Sequence, residues 1–227
     1  MALKDTDNIR MVCFDLDGTL IDKTVFIWST LHEHFASDPQ KRKQAAEDYH
    51  SGRISYPDWF ETDLQLLKAG GADREGISRT LSSLKLTKGA RECLRTLKAR
   101  GYKLGLISGS IDVVLKHFFP EQPFDHVLIN SINFDENGQI AGGTPTPYDL
   151  EGKAEGLFEL AGREGLSAGQ CAFVGDNFND LPVMKAAGFS VGVFVKDPKV
   201  VEAVDLHFQG DDLRDLLPHF PGAKGGF

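Results

Sequence analysis

The sequence has few cysteines and no long apolar run, and both absences narrow what the protein can be. Its three cysteines, Cys13, Cys93 and Cys171, are an odd number and lie within apolar segments. None is spaced like a pair of zinc ligands, so we expect buried free thiols in a reducing compartment. No stretch approaches the ~20 apolar residues of a membrane span, and residues 1–10 lack the apolar core of a secretory signal. We therefore expect a cytoplasmic protein with no membrane partner.

The sequence also lacks a cluster of lysines and arginines interleaved with aromatic residues. Its formal net charge is -8, which argues against nucleic acid as the main ligand. A small phosphate ester remains compatible with an acidic protein, because a metal ion and a few placed cations or amides can dominate the local field. The oligomeric state is left open.

What is present is an alternation of short apolar segments with loops and helical patterns. A chain of 227 residues can bury a substantial core. Buried parallel strands are predicted at residues 11–14, 103–107, 171–174 and 190–194. A further strand at 126–130 precedes a hairpin over 132–140 that turns at Asn137 and Gly138. This order predicts an α/β fold with a doubly wound, Rossmann-like parallel sheet.

The segment from residue 22 to 86 differs because it contains no convincing strand. Two apolar stripes recur there at helical spacing, and Ser55 with Asp58 could cap the second helix. The stripes consist of Ile27, Trp28, Leu31 and Phe35, and of Trp59, Phe60, Leu64 and Leu67. We predict a helical cap domain at residues 22–86, inserted after the first strand of a core domain formed by residues 1–21 and 87–227.

Two carboxylates follow the first predicted strand, which leads directly into Asp15-Leu16-Asp17-Gly18-Thr19. Ligands of open α/β sheets bind at this carboxyl edge. Positions i and i+2 of an extended chain point to the same side, ~7 Å apart, so the two carboxylates could flank a reacting phosphorus. Gly18 permits the sharp turn that must follow, and Thr19 could hold the loop through its hydroxyl. These residue types also occur in ordinary turns, so the motif needs support from elsewhere.

A second acidic cluster supplies that support. The strand at 171–174 is followed by Gly175, Asp176, Asn177, Phe178, Asn179 and Asp180. Parallel strands bring this loop to the same edge of the sheet as Asp15. Hard oxygen ligands suit Mg²⁺ better than zinc, for which histidine or cysteine would be expected. A lone acidic loop is more often a helix cap, but two at neighbouring strand ends predict a magnesium site.

Two further positions could hold a phosphoryl group. Ser108-Gly109-Ser110 ends the strand at 103–107 and is predicted to open a helix, where a hydroxyl and free amides could bind phosphate oxygens. A serine at such a junction is also a normal helix N-cap. Lys153 opens an apolar helical pattern. Most such lysines are solvated, but a phosphoryl group among carboxylates needs a fixed positive charge beside the metal.

In this order the four motifs resemble those of the haloacid dehalogenase-like hydrolases. The motifs are Asp15 to Thr19, Ser108, Lys153, and the loop Gly175 to Asp180, and together they span most of the chain. The resemblance implies that Asp15 is the nucleophile and Asp17 the general acid and base. It also implies a Mg²⁺ cofactor held by Asp15, Asp176 and the backbone carbonyl of Asp17.

The same resemblance implies which residues hold the phosphate. These would be Ser108, the Gly109 amide, Lys153 and Asn179. Asp180 would orient Lys153 or metal-bound water rather than bind the metal directly. The implied activity is Mg²⁺-dependent hydrolysis of a small phosphorylated metabolite through an aspartyl-phosphate intermediate.

The position of the insert indicates a branch of this superfamily. The longest interval between motifs lies between the first and the second, as in phosphoserine phosphatase-like members, and the helical cap is predicted there. Phosphoserine phosphatases carry a cap glutamate for the amino group of the substrate, where this sequence has Thr24, so phosphoserine itself is in doubt. Arg53 is a candidate cap contact to an anionic substrate group, although surface arginines are common.

Of three other activities, the sequence disfavours a dehalogenase and leaves a phosphotransferase or phosphomutase and a signalling switch as alternatives. A dehalogenase would share the attacking aspartate but has no leaving alcohol to protonate, so it does not need Asp17. A phosphotransferase or phosphomutase would use the same four motifs and differ mainly in whether water or a second hydroxyl accepts the phosphoryl group. A phosphoaspartate signalling switch would lack a helical insert of this size and would keep its phosphoryl group without rapid turnover.

Overall fold

A computed structural model describes residues 6–22, 24, 26–150, 152–195 and 197–223. Both ends of the predicted core domain, residues 1–5 and 224–227, lie outside this part of the chain. Within the described residues, no helix has the length and apolar character needed to cross a membrane.

A seven-stranded sheet is formed by the strands of the described residues. They are β1 (Met11–Phe14), β2 (Lys103–Ile111), β3 (His126–Phe134), β4 (Ile140–Thr144), β5 (Cys171–Gly175), β6 (Phe189–Val193) and β7 (Leu206–Phe208). Their order is β4-β3-β2-β1-β5-β6-β7. All neighbouring pairs are parallel except β3 and β4, which form an antiparallel hairpin. The predicted α/β fold with a mostly parallel sheet is confirmed.

Alternate residues of β1 enter separate apolar clusters on the two faces of the sheet. Val12 and Phe14 belong to one cluster, whereas Met11 and Cys13 belong to the other. This follows from the two-residue period of a strand and explains why a central parallel strand is apolar throughout. All three cysteines are buried and free, as the sequence predicts.

The helices cover both faces and also form the insert. Among the described residues, five helices lie between β1 and β2 in the chain, and the first four form the insert: α1 (Ile27–His34), α2 (Pro39–His50), α3 (Tyr56–Ala69) and α4 (Arg74–Leu81). The others are α5 (Ala90–Ala99), α6 (Asp112–Phe118), α7 (Lys153–Arg163), α8 (Leu181–Ala186) and α9 (Pro198–Ala203). Short 3-10 helices span Ala168–Gln170, Phe178–Asp180 and Leu213–His219.

Of the four helices α1 to α4, called the inserted helices below, three begin with a side-chain cap, from Asp38 for α2, Ser55 for α3 and Asp73 for α4. Ser55 accepts a hydrogen bond from the amide of Asp58, whose side chain accepts one from the amide of Ser55. This reciprocal capping box satisfies two otherwise unpaired amides and fixes the start of α3. Leu64 and Leu67 are buried on the apolar face that follows. The division into a core domain and a cap domain at residues 22 and 86 stays a prediction.

The end of β2 differs from the prediction. Residues 108–110 continue the strand instead of opening a helix, and α6 begins only at Asp112. The pairing of β2 with β3 is shifted between Ser108 and Ile111, so the backbone there is extended but irregular. Side-chain hydrogen bonds from neighbouring elements hold this irregular segment in place, as described below.

Candidate active site

The three central strands carry the predicted motifs to one edge of the sheet. β1 lies between β2 and β5, so Asp15 and Asp176, which directly follow β1 and β5, lie near the part of β2 that contains Ser108. Asp15 and Asp17 both line a cavity of about 220 Å³ together with Ser108 and Asn179. The cavity lies between this edge and the inserted helices.

Gly18 lies where the loop after β1, which contains Asp15, contacts the loop after β5, which contains Asp176. Its φ of 75° lies in the left-handed region, which glycine adopts without a steric penalty. A Cβ built on Gly18 would lie 2.3 Å from Oδ2 of Asp176. The Thr19 hydroxyl donates to Oδ1 of Asp176 at 3.3 Å. The Asp15 loop and the Asp176 loop are therefore in direct contact, and only glycine fits between them.

Asp17 is held by two hydrogen bonds from different parts of the chain. The amide of Ile27, the first residue of α1, donates to Oδ2 at 2.7 Å, and the Ser110 hydroxyl donates to Oδ1 at 2.9 Å. Burial, followed by repulsion from Asp15, raises the pKa of Asp17 to about 7, although both hydrogen bonds oppose the rise. A carboxyl group with this pKa can both donate and accept a proton near neutral pH.

The Asp176 loop and Asp15 together form a cluster of negative charge. One carboxylate oxygen from each of Asp15, Asp176 and Asp180 lies within 4.8 Å of the others. Burial, followed by the charges of Asp180 and Asp15, raises the pKa of Asp176 to about 9. Crowded buried carboxylates with hard oxygen donors match the ligand preference of Mg²⁺, and a divalent cation would offset their repulsion. The donor set fits the cofactor predicted from the sequence.

Asp180 is already engaged by protein donors. The amides of Asp176 and Asn177 donate to its Oδ2 at 3.0 and 3.2 Å. Lys153 donates to its Oδ1 at 2.6 Å. These contacts fix both the second loop and the lysine.

Lys153 is the buried cation of the site. It begins α7 and its side chain is fully buried, with Nζ 3.0 Å from Oδ1 of Asp15. Burial alone would lower its pKa, but Asp15 and Asp180 raise it above the ordinary value for a lysine. Its ammonium group therefore stays charged beside the predicted nucleophile.

The segment 108–110 is fixed through the carbonyl of Gly109. Asn130 on β3 donates to this oxygen at 2.8 Å, and the indole of Trp28 on α1 donates to it at 3.1 Å. Extended backbone at Ser110 also lets its hydroxyl reach Asp17. The strand continues past Ser108 because these tertiary hydrogen bonds replace those of a helix start.

Asn179 also lies at the cavity wall. Its side chain is buried, and its Nδ2 donates to the carbonyl of Asp149 at 3.5 Å. No described residue donates a hydrogen bond to its buried Oδ1. Asn179 thus lines the same cavity as Ser108 and Gly109, the residues that the sequence predicts to hold the phosphate.

Six residues singled out from the sequence are not among the described residues that line the cavity. Four of them, Thr19, Lys153, Asp176 and Asp180, are in contact with one another or with Asp15 behind the wall. Arg53 and Thr24 have no such contact. Arg53 is largely exposed, and its Nε donates to Oδ1 of Asp48 at 2.7 Å. Arg42 on α2 lines the cavity instead. Thr24 is buried next to Asp22, whose carbonyl its hydroxyl approaches at 3.4 Å, and lies outside the cavity wall.

The sequence did not predict that several other residues would line the cavity. They are Trp28, Arg42, Tyr56, Trp59, Phe60, Asp63, Ser110 and Asp149, to which Asn130 adds a hydrogen bond behind the wall. Most come from the inserted helices, whose placement over the sheet depends on tertiary packing. Ser110 alone had a local signal, because it shares with Ser108 the i, i+2 relation that was used for Asp15 and Asp17.

A comparison of the sequence with protein-family models finds a match. A family model described as haloacid dehalogenase-like hydrolase matches residues 9–188. The match covers more than half of the chain and includes all four motifs.

Curated relatives and solved structures agree with this match. The phosphoserine phosphatase of Lactococcus lactis subsp. lactis is 29% identical over 208 residues, which cover 91% of this chain and 92% of that protein. The phosphoserine phosphatase of Archaeoglobus fulgidus is 29% identical over 189 residues, and these cover 83% of this chain but 53% of the relative. This chain thus spans about half the length of that relative.

A solved structure described as a phospho-aspartyl intermediate analogue of phosphoserine phosphatase shares the fold. Its TM-score is 0.71 at 22% identity, and the match covers 96% of this chain and 100% of that one.

Proposed function

The chain belongs to the haloacid dehalogenase-like hydrolases, and on that premise we propose that it is a Mg²⁺-dependent phosphatase of a small phosphorylated metabolite. One observation carries the proposal. The two aspartates Asp15 and Asp17 line one cavity, with Nζ of Lys153 3.0 Å from Oδ1 of Asp15. The curated relatives named phosphoserine phosphatases support a phosphate monoester as the substrate.

The reaction begins with attack by a carboxylate oxygen of Asp15 on phosphorus. The bond from phosphorus to the alcohol oxygen breaks, and protonated Asp17 gives its proton to that oxygen. Splitting the hydrolysis into two displacements makes a very slow uncatalysed reaction feasible. Asp17, now a carboxylate, then takes a proton from the water that attacks the phosphoaspartate and releases phosphate.

Fixed groups of this chain hold the phosphoryl oxygens during both displacements. We assign this role to the Ser108 hydroxyl, the Gly109 amide, the Asn179 side chain and the Lys153 ammonium. Preorganised donors of this kind stabilise the charge that develops in the transition state. Asp180 positions Lys153 through the 2.6 Å contact between them.

Asp15, Asp176 and the Asp17 carbonyl would hold Mg²⁺ at the acidic cluster. The bound ion supplies positive charge that neutralises phosphoryl oxygens and orients the substrate. The crowding of Asp15, Asp176 and Asp180 supports this assignment. The inserted helices would act as the cap that excludes bulk water from the cavity, and we place the enzyme in the cytoplasm.

A phosphate-release assay tests the function. The purified protein is assayed with and without Mg²⁺ over a panel of phosphorylated metabolites, including phosphoserine and sugar phosphates, beside Asp15→Asn. We expect Mg²⁺-dependent release by the parent protein and essentially none by the variant. Transfer of the phosphoryl group to a second hydroxyl would identify a mutase, and a long-lived phosphoaspartate without release would identify a switch.

A further inference from the structure

Both tryptophans of the chain line the cavity of the candidate active site. They are Trp28 on α1 and Trp59 on α3. Further rings in the wall belong to Phe26, Tyr56, Phe60 and Phe178. The proposed chemistry at phosphorus uses none of these rings, so their concentration bears on the rest of the substrate.

Trp28 lies beside the position expected for the leaving alcohol. Its indole donates a hydrogen bond to the carbonyl of Gly109 at 3.1 Å. The preceding residue, Ile27, donates its amide to Oδ2 of Asp17 at 2.7 Å. Asp17 is the proposed proton donor to the leaving oxygen, and Gly109 is assigned to the phosphoryl group. The first atoms of the leaving group therefore come close to this indole.

The rings of the wall are held in place by one another. Trp28 and Phe60 pack edge to face, with centroids 5.5 Å apart and planes at 83°. Trp59 stacks on Tyr49 at 4.8 Å and meets Tyr56 edge-on at 6.1 Å. Aromatic pairs prefer these stacked and edge-to-face arrangements. The wall thus presents fixed ring surfaces, which a ligand does not have to order when it binds.

Arg42 and Asp63, two charged residues of the wall, face groups of the protein itself. Nη2 of Arg42 donates to the Ser29 hydroxyl at 3.1 Å. Its Nε lies 4.0 Å from Oδ1 of Asp63, and the same oxygen lies 3.2 Å from Nε2 of His32. A charged group on the leaving alcohol would have to compete with these contacts.

Asp149, the remaining aspartate of the wall, is also engaged. The Tyr56 hydroxyl donates to its Oδ2 at 3.0 Å. A Cβ built on Gly109 would lie 1.8 Å from its Oδ1, so this oxygen packs against the glycine. Among the described residues of the wall, the aromatic side chains therefore provide the main surface that is left for a leaving group to contact.

The size of the cavity and the chemistry of Asp17 narrow the leaving group further. An apolar cavity of about 150 Å³ holds benzene, so a cavity of about 220 Å³ has room for one ring beside the phosphoryl group. Proton donation by Asp17 matters most when the leaving oxygen is a strongly basic alkoxide. A ring attached through a saturated carbon gives such an alkoxide, whereas a phenol gives a weaker base.

We propose that this enzyme prefers phosphate monoesters whose leaving alcohol carries a single aromatic ring on the carbon next to the ester oxygen, and that Trp28, Trp59 and Phe60 determine this preference. The ring packs against theirs, and each aromatic pair stabilises the complex beyond the effect of burial alone. No charged group on the leaving alcohol is required. This inference rests on the proposed function, because it names the substrate class of the same site.

Two esters of closely similar size test the preference: benzyl phosphate and cyclohexylmethyl phosphate. Both carry a ring on the same carbon and release an alkoxide, but only the first ring is planar and aromatic. kcat/KM is measured for each with the Mg²⁺-loaded wild type. We expect benzyl phosphate to be preferred by about fivefold or more. Equal values for the two esters would overturn the inference.

Trp59→Leu tests whether the wall causes the preference. The variant keeps an apolar side chain but removes the indole, and Trp59 is only partly buried. We expect the ratio of kcat/KM for benzyl to cyclohexylmethyl phosphate to fall toward one. Damage to the fold would lower kcat/KM for both esters and leave the ratio unchanged, and an unchanged ratio would contradict the proposal. Phe158→Leu on α7, where the ring is 52% exposed, is the matched control and should keep the wild-type ratio.

A binding measurement distinguishes this inference from the proposed function. Asp15→Asn and Asp15→Asn/Trp59→Leu are titrated with both esters in the presence of Mg²⁺. Tryptophan fluorescence reports binding, because both tryptophans line the cavity. Tighter binding of benzyl phosphate that disappears with Trp59 supports the inference even if no ester is turned over. Absence of phosphate release from every ester by the wild type would count against the phosphatase function alone, and equal affinities of Asp15→Asn for the two esters would count against the aromatic preference.

Discussion

Nζ of Lys153 lies 3.0 Å from Oδ1 of Asp15, and the side chain of Lys153 is fully buried. An ion pair removed from water gains strength from its low-dielectric surroundings but is costly if either partner is lost. Since Asp180 shares the same ammonium at 2.6 Å, one lysine balances two buried carboxylates. The ammonium group of Lys153, which we propose binds the phosphoryl oxygens, is therefore also buried in the protein core.

Lys153→Met should destabilise the protein as well as inactivate it. The variant leaves Asp15 and Asp180 buried without their cation, which typically costs about 3–5 kcal/mol. Urea unfolding of the metal-free proteins measures the loss, and phosphate release measures activity. Lys185→Met, an exposed change on α8, is the matched control and should unfold like the wild type. Wild-type stability of Lys153→Met would show that the buried pair contributes little.

Ser110→Ala should shift the pH profile toward higher pH. The Ser110 hydroxyl stabilises the charged form of Asp17, whose pKa is about 7. Loss of this hydrogen bond raises that pKa, so Asp17 stays protonated to higher pH and its donation to the leaving alcohol persists. The alkaline limb of kcat/KM against pH reports the change. Ser82→Ala, at an exposed helix end, should not move it, and a limb shifted to lower pH in Ser110→Ala would refute the assignment.

Metal-free protein should lose stability as pH rises, and Mg²⁺ should restore it. The folded-state pKa values of Asp17 and Asp176, about 7 and 9, lie above the unfolded value of about 3.9. The folded protein thus binds more protons, and this contribution is complete below about pH 4 and disappears as pH passes 7 and then 9.

Thermal unfolding at several pH values, with and without Mg²⁺, measures this effect. At a Mg²⁺ concentration 100 times Kd, stabilisation is about 2.7 kcal/mol, or roughly 5–11 °C in Tm. Asp176→Asn should lose the response to Mg²⁺, whereas exposed Asp215→Asn should keep it. A Tm of the wild type that does not respond to Mg²⁺ would argue against the metal site.

Gly18→Ala should lower the affinity for Mg²⁺ in addition to lowering the stability of the fold. Its φ is 75°, and the new Cβ would lie 2.3 Å from Oδ2 of Asp176. Gly52→Ala is a close control, because Gly52 has a φ of 74° but nothing within 4 Å of the corresponding Cβ. Both variants should lose about 1 kcal/mol to backbone strain. Calorimetry should find weaker Mg²⁺ binding for Gly18→Ala, and equal affinities in the two variants would contradict the contact.

The sequence predicted the structure correctly where local residue pattern and the order of parallel strands determine it. Residues 11–14 form β1 as predicted, because an apolar run between polar loops can be buried only inside the sheet. The hairpin turns near Gly138, whose φ of 77° matches the tight turn predicted there. Asp15 and Asp176 converge because parallel strands bring their carboxyl ends to one edge.

The sequence was least informative where side chains from distant elements decide the outcome. Residues 108–110 stay extended because Asn130 and Trp28 bind the Gly109 carbonyl, and neither contact leaves a local pattern. Asp149 has no motif spacing, and only the folded chain brings it onto Gly109. Arg53 donates a hydrogen bond to Asp48 on the surface, whereas Arg42 lines the cavity. The cavity wall follows from how the inserted helices pack on the sheet.

Trapping the phosphorylated enzyme tests the central claim most directly. Mg²⁺-loaded protein is mixed with a turned-over phosphate ester and quenched in acid during turnover, and its peptides are analysed by mass spectrometry. Attack by Asp15 predicts one added phosphoryl group on the peptide that contains Asp15, localised to that side chain, and none in Asp15→Asn. Turnover by Asp15→Asn at the wild-type rate, or a phosphoryl group localised to another residue, would contradict it.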